Sequence, residues 1–199
     1  MKKISPFKKL YEIYLSTYSL EPQAEPEFFE CIGDVFFTPE VQSLTQYPQH
    51  DCMDRLQHIT SVSYVSYRVC KKLGLDYRAA ARAGIMHDLF YYDWHENDWS
   101  HRPHGYRHPK FAAVNAKTLC GDALDKKTEK MILRHMWPLT PVPPACREGF
   151  VLSLSDKYCA SREMKITKAA RKGDRKAVFF KSAPNDIKSC RRHGTRRLF

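Results

Sequence analysis

Five residues of two chemical kinds recur between positions 58 and 156: His58, the pair His87-Asp88, His135 and Asp156. Neutral imidazole and carboxylate are the ligands of divalent Mn, Fe, Co, Ni or Zn, whereas Mg, also admissible here, favours oxygen. One or two such ions polarise a phosphate ester and lower the pKa of a water that then attacks phosphorus. His87 and Asp88 are adjacent, so on a helix they point about 100° apart. Both can meet a metal only at a helix end or between two ions. A His-Asp dipeptide alone is common, and a single histidine on an apolar helix stripe is usually a hydrogen-bonded core residue. The joint pattern says more. Leu56-Gln57-His58, Ile85-Met86-His87-Asp88-Leu89, Ile132-Leu133-Arg134-His135 and Leu154-Ser155-Asp156 each set a ligand-type residue in an apolar helical context. Burying four such groups without a shared partner would be costly.

The elements that must position these groups read as helices. Residues 5–18 form a short amphipathic pattern, followed by a proline-containing connection around Glu21 to Glu27. Thr38-Pro39-Glu40 is a helix start, with Thr as cap and Pro in the first turn. A long helix runs from about Met53 to Leu73 and stops at Gly74, with Ile59, Val62, Val65, Val69 and Leu73 on one stripe and His58 facing inward. Asp76 caps a helix from Tyr77 to about Phe90. Its Ala79-Ala80-Ala81 and Gly84 permit close packing, and His87-Asp88 lie near its end. An irregular loop fills Tyr91 to about His108. Pro109 opens a helix to Leu119, closed by Gly121. Another spans Lys126 to Met136, and a last core helix begins near Cys146. No strand pattern emerges, so the expected fold class is all-α.

Composition narrows the class. Of 199 residues 43% are hydrophobic, as in ordinary globular proteins. The basic first nine residues precede no apolar signal stretch, and no window approaches a membrane span. The seven cysteines are scattered without a C-x-x-C, as expected of reduced thiols in a cytoplasmic protein. From Arg162 to Phe199 thirteen Lys/Arg face three Asp/Glu, a surplus of ten in a chain whose net charge is +11. The basicity therefore belongs to the tail.

The order His…His-Asp…His…Asp, from about His50 to Ala160, resembles the HD-domain superfamily of metal-dependent phosphohydrolases. The resemblance implies an HD-type helical bundle over 50–161; outside its reach the residues themselves suggest an N-terminal helical extension (1–49) packed on the bundle and a basic C-terminal extension (162–199). It implies that His58, His87, Asp88 and Asp156 hold a first metal. His108 and His135 then correspond to the extra histidines of the binuclear branch, with Asp88 bridging and His101 or His104 as substitutes for His108. Branches acting on cyclic dinucleotides carry a Gly-Tyr-Pro signature, where this chain has Met136-Trp137-Pro138 after His135. HD nucleotidases place an acidic residue soon after His-Asp, where this chain has Phe90 and Tyr91.

The loop from Tyr91 to Arg107 is the expected substrate wall. Arg102 and Arg107 suit bidentate phosphate contact, with His104 and Lys157 beside them, and Asp93 or Glu96 suits protonation of a leaving alkoxide. Its Tyr and Trp residues serve to pack the loop or to stack on a base. Lys165, Lys168, Arg171, Lys172, Arg175 and Lys176 recur at helical spacing. They form a face for nucleic acid or an anionic surface, or simply a solvated helix. The expectation is thus a phosphohydrolase acting on a small phosphate ester or nucleotide. Two other classes compete with it: a nucleic-acid-associated protein with a structural HD site, and a di-iron oxygenase on the same scaffold.

Overall fold

A computed structural model describes residues 5–49 and 53–172. These contain eight α-helices: α1 (Pro6–Ser16), α2 (Pro26–Phe36), α3 (Pro39–Gln42), α4 (Arg55–Leu73), α5 (Tyr77–Met86), α6 (His104–Cys120), α7 (Lys126–Arg134) and α8 (Arg147–Arg171). The fold is all-α, and among the described residues there is no strand, only an isolated bridge between Pro48 and Asp54. No helix among them is long and apolar enough to cross a membrane.

Local chemistry sets most boundaries. Asp54 accepts from the Gln57 amide at 2.8 Å to start α4, and Gly74 ends it at φ 65°, a conformation that only glycine adopts without strain. Asp76 caps α5 through the Ala79 amide, and Asp125 caps α7 through the amides of Lys127 and Thr128. The central contact is α4 against α5. Gly84 lies on Ser63, where an added Cβ would stand 2.4 Å from the Ser63 Cα. Ser63 Oγ donates to the Ala81 carbonyl at 2.7 Å across the same seam. This close antiparallel crossing brings the beginning of α4, with His58, beside the end of α5, with His87. Ile59, Val62 and Val65 are fully buried behind them, each worth about 1.5–3 kcal/mol.

Five boundaries differ from the sequence reading. The connection expected around Glu21 to Glu27 yields instead to α2 at Pro26. That proline takes the first helical position, where its missing amide costs nothing, and it does not extend the loop. The buried Phe28, Phe29, Ile32 and Val35 then dock the helix, with the Phe28 ring 5.0 Å from Tyr64. Helix α5 stops at Met86, not Phe90, and α7 at Arg134, not Met136, which puts His87 and His135 in C-cap positions. Helix α6 starts at His104, several residues before Pro109, which sits inside it. Finally, α8 continues to Arg171, so the boundary expected at 162 falls within a core helix. Glu163 and Thr167, on the expected tail, are buried. Lys165, Lys168, Arg171 and Lys172 are exposed on its last turns. Arg175, Lys176 and the apolar run Val178-Phe179-Phe180 lie outside the described residues.

Candidate metal centre

Six side chains converge where the start of α4, the ends of α5 and α7, the first turns of α6 and the middle of α8 meet. His58, His87, Asp88, His108, His135 and Asp156 are all at least nine-tenths buried. The Asp88 carboxylate stands at the middle. Its Oδ2 is 3.8 Å from His58 Nε2 and 3.7 Å from His87 Nε2. Its Oδ1 is 3.2 Å from His108 Nε2 and 3.7 Å from His135 Nε2. Asp156 Oδ1 closes the first group at 3.3 Å from His58 Nε2 and 3.8 Å from His87 Nε2. Two groups therefore share Asp88: His58, His87 and Asp88 in one, Asp88, His108 and His135 in the other, and each could hold a metal ion.

The ring tautomers follow from the outer nitrogens. His87 Nδ1 donates to the Gly84 carbonyl at 2.7 Å, His108 Nδ1 to the His104 carbonyl at 3.0 Å, and His135 Nδ1 to the Ile132 carbonyl at 2.7 Å. A carbonyl only accepts, so each of these rings carries its proton on Nδ1 and turns a lone pair inward from Nε2. His58 Nδ1 donates to Glu163, at 2.8 Å to Oε2 and 3.1 Å to Oε1. The consequence is sharpest between His108 and His135, whose Nε2 atoms face each other at 2.9 Å. Two nitrogens bound at about 2.1 Å to one ion, at angles of 90–110°, lie about 3.0–3.4 Å apart. Two neutral lone pairs would resist that approach, and a cation held between the two rings would relieve it. His87 Nε2 and Asp88 Oδ1 are buried and make no hydrogen bond. In a closed core such atoms need a partner. The donor set fits a divalent ion.

The electrostatics agree. Burial pushes His135 down to about 3, helped by His108 and His87, and burial also lowers His87, so both are neutral near pH 7, as a metal ligand must be. Burial would raise Asp88 and Asp156, but the surrounding histidines outweigh it and hold both carboxyls below their ordinary range. His58 differs: burial opposes its protonation, yet Glu163 and Asp156 prevail and raise it well above the usual imidazole value. That corner of the site calls for positive charge.

Of the three neighbouring histidines, His108 enters the cluster. His104 lies one turn earlier on α6 and stacks on the His108 ring at 4.5 Å, with Trp94 stacked on its other side at 5.5 Å. Burial takes its pKa down to about 3. His101 stacks on Tyr92 at 4.0 Å. The early start of α6 decides this, because it sets 104 and 108 on one face.

The residues expected to meet substrate are distributed differently. Lys157 Nζ donates to the His135 carbonyl at 2.9 Å and to Ser153 Oγ at 3.2 Å, and lies 3.4 Å from Asp156 Oδ2, at the rim of the cluster. Arg102 and Glu96 are exposed on the loop, with Arg102 Nη2 reaching the Glu96 carbonyl at 3.4 Å, while Arg107, expected on the same loop, is exposed on the first turn of α6. Asp93 Oδ1 accepts from the His95 amide at 2.9 Å and pairs with His95 Nδ1 at 2.8 Å, closing a local turn. Among the described residues no hydrogen bond joins Asp93, Glu96, Arg102 or Arg107 to the cluster. Tyr92 and Trp94 pack the loop down, while Trp99 is exposed.

Three supporting residues escaped the sequence reading. Gln49 Nε2 donates to Asp88 Oδ2 at 2.8 Å. Arg55, fully buried, donates to Gln49 Oε1 at 3.0 Å and to the carbonyls of Phe90 and Tyr92 at 2.7 and 3.1 Å. Its guanidinium lies 3.6 Å from the Phe90 ring centroid, and burial lowers its pKa to about 10. One chain of contacts thus ties Asp88 to the root of the loop. Glu163 lies seven residues, two helical turns, beyond Asp156 on α8. That spacing was a signal, masked by its place in a basic stretch.

No family model, no curated protein and no solved structure matches this chain. The chemistry of the cluster therefore has to be argued from its own atoms.

Proposed function

We propose that this protein is an HD-type, metal-dependent phosphohydrolase that cleaves a small phosphate ester or a nucleotide. The observation that carries the reading is the pair of buried His/Asp groups sharing Asp88. Asp88 offers one oxygen to each group and would bridge two ions. His58, His87 and Asp156 would complete the ligand set of one ion, and His108 and His135 that of the other. Such ions, Mn, Fe, Co, Ni or Zn, supply Lewis acidity and a water of lowered pKa.

The chain's own groups do the rest. The histidine Nδ1 contacts hold the rings in their ligand tautomer before any ion arrives. Lys157 sets a positive charge at the rim, where an anionic phosphate would enter. Arg102 and Arg107 are exposed and would suit the far side of a phosphorylated substrate, with His104, stacked on His108, nearer the cluster. Asp93 and Glu96 are the carboxyls from which a leaving alkoxide would take its proton.

The test is hydrolysis of chromogenic phosphomonoesters and phosphodiesters by the metal-free chain reloaded with Mn, Fe, Co, Ni or Zn in turn. Metal-dependent phosphate release that disappears in Asp88→Ala supports the reading. Bound metal without hydrolysis of any ester sinks it, and oxygen uptake with reduced iron would put an oxygenase in its place.

A further inference from the structure

The two halves of the cluster are not equivalent. Three of the four histidines lean on backbone carbonyls, which are neutral acceptors. His58 alone leans on a carboxylate, and Glu163 is as buried as the ring it holds, at 0% and 1% exposure. A buried carboxylate behind a ligand imidazole fixes its tautomer and orientation and makes its inner nitrogen a stronger donor. The low dielectric of the site strengthens that effect. The first half also has Asp156 to itself, whereas the second has only its share of Asp88.

Building on the metal-site reading above, we propose that Glu163 is the positioning residue that tightens the first half-site through His58. The halves then fill in order. The His58–His87–Asp156 half takes its ion first, and the His108–His135 half loads only at higher metal concentration. Occupancy of the second half would thereby become the variable that metal supply controls. The placement on α8 couples the two residues, because Asp156 and Glu163 project from one helix two turns apart.

The experiment is titration of the metal-free full-length protein with Co2+ alone, counting ions by calorimetry and reading their coordination by visible absorption. The wild type takes up two ions in separable steps. Glu163→Gln keeps the shape and still accepts from Nδ1, and it weakens the first step by about 10- to 100-fold while leaving the second unchanged. Glu163→Asp keeps the charge but withdraws it from Nδ1, and weakens the first step as well. It provides an independent reading should the Gln variant lose its helical circular dichroism. In a His58→Ala background Glu163→Gln has no further effect on affinity, since its partner is gone. An unchanged first step in both Glu163 variants overturns the proposal, and so does an equal loss in the His58→Ala background, the mark of general structural damage. Two ions bound with equal affinity by the wild type also overturn it while leaving the metal-site reading intact. A wild type that takes up no Co2+ removes that reading and the proposal together.

Discussion

The buried His/Asp cluster and the loop from Tyr91 to Pro103 are built on opposite principles. In the cluster every ring is buried, every outer nitrogen has an acceptor, and the supporting backbone belongs to helices packed against one another. In the loop most polar contacts are local and exposed, such as Asp93 with His95 and Asp98 with Ser100. Under the proposed function, rigid helices would hold the reactive geometry while a surface loop would present adaptable charge to the substrate. Arg55 and Gln49 are the seam between the two, because one fully buried guanidinium holds both the loop root and the residue that supports Asp88.

That contrast can be broken or sharpened by experiment. The largest effect should come from Asp88→Ala, which removes the oxygens common to both groups. Bound metal should fall to trace in elemental analysis, and turnover by on the order of 10³-fold. Retained metal and activity would mean that the cluster is not the working site. Arg55→Met comes next. It strands Gln49 Oε1 and two carbonyls in the interior, so urea denaturation should show a loss of about 3 kcal/mol or more. Gly84→Ala forces α4 and α5 apart at Ser63 and should cost about 1–3 kcal/mol. Its metal content should fall too, since His58 and His87 sit on the two displaced helices.

Acid should separate the regions further. The folded-state pKa of His135, about 3, lies below its unfolded value of about 6.5, so the unfolded chain binds the proton more readily. Stability of the metal-free protein is therefore lost as pH falls from about 6.5 towards 3, at about 1.4 kcal/mol per pH unit for that proton. His87 and His104 act in the same direction, and the depressed Asp88 and Asp156 add to the loss below about pH 4. His58 has the opposite sign. Its raised pKa contributes stability that is complete below about 6.5 and lost as pH rises through the folded value. Urea midpoints in the presence of chelator, measured between pH 7.5 and 5, would test this, and a flat profile would contradict the buried neutral rings. The smallest effect should be Arg102→Ala in the loop. Stability should change by no more than about 0.5 kcal/mol, while KM for a phosphate ester rises by about tenfold with kcat kept, the loss of one charge-assisted contact.

How much of this was legible beforehand depends on the kind of signal. Helix α4 was readable in its apolar stripe and at its C-terminal end, because the stripe and a terminal Gly are local signals, while its start was set two residues early, at Met53. Helix α2 was missed, because Pro26 looks like a breaker until a partner exists for Phe28 and Ile32. The extent of α6 was misplaced for the same kind of reason. His104 and Gly105 carry no strong helix signal, and only packing of His104 between Trp94 and His108 accounts for an early start. Gln49 and Arg55 left no trace as site residues, because a buried polar chain is defined by what surrounds it.

The sequence by itself determined the all-α class and the list of groups able to hold a metal, since periodicity and side-chain chemistry are properties of the chain. Only the tertiary structure decided which histidine joins them, that the Asp88 oxygens face two ways, and that Glu163 stands behind His58. Those are distances of 2.8–3.8 Å between residues up to 105 positions apart. Contacts at that sequence separation exist only once α4 and α5 close at Gly84 and α6, α7 and α8 complete the site around them.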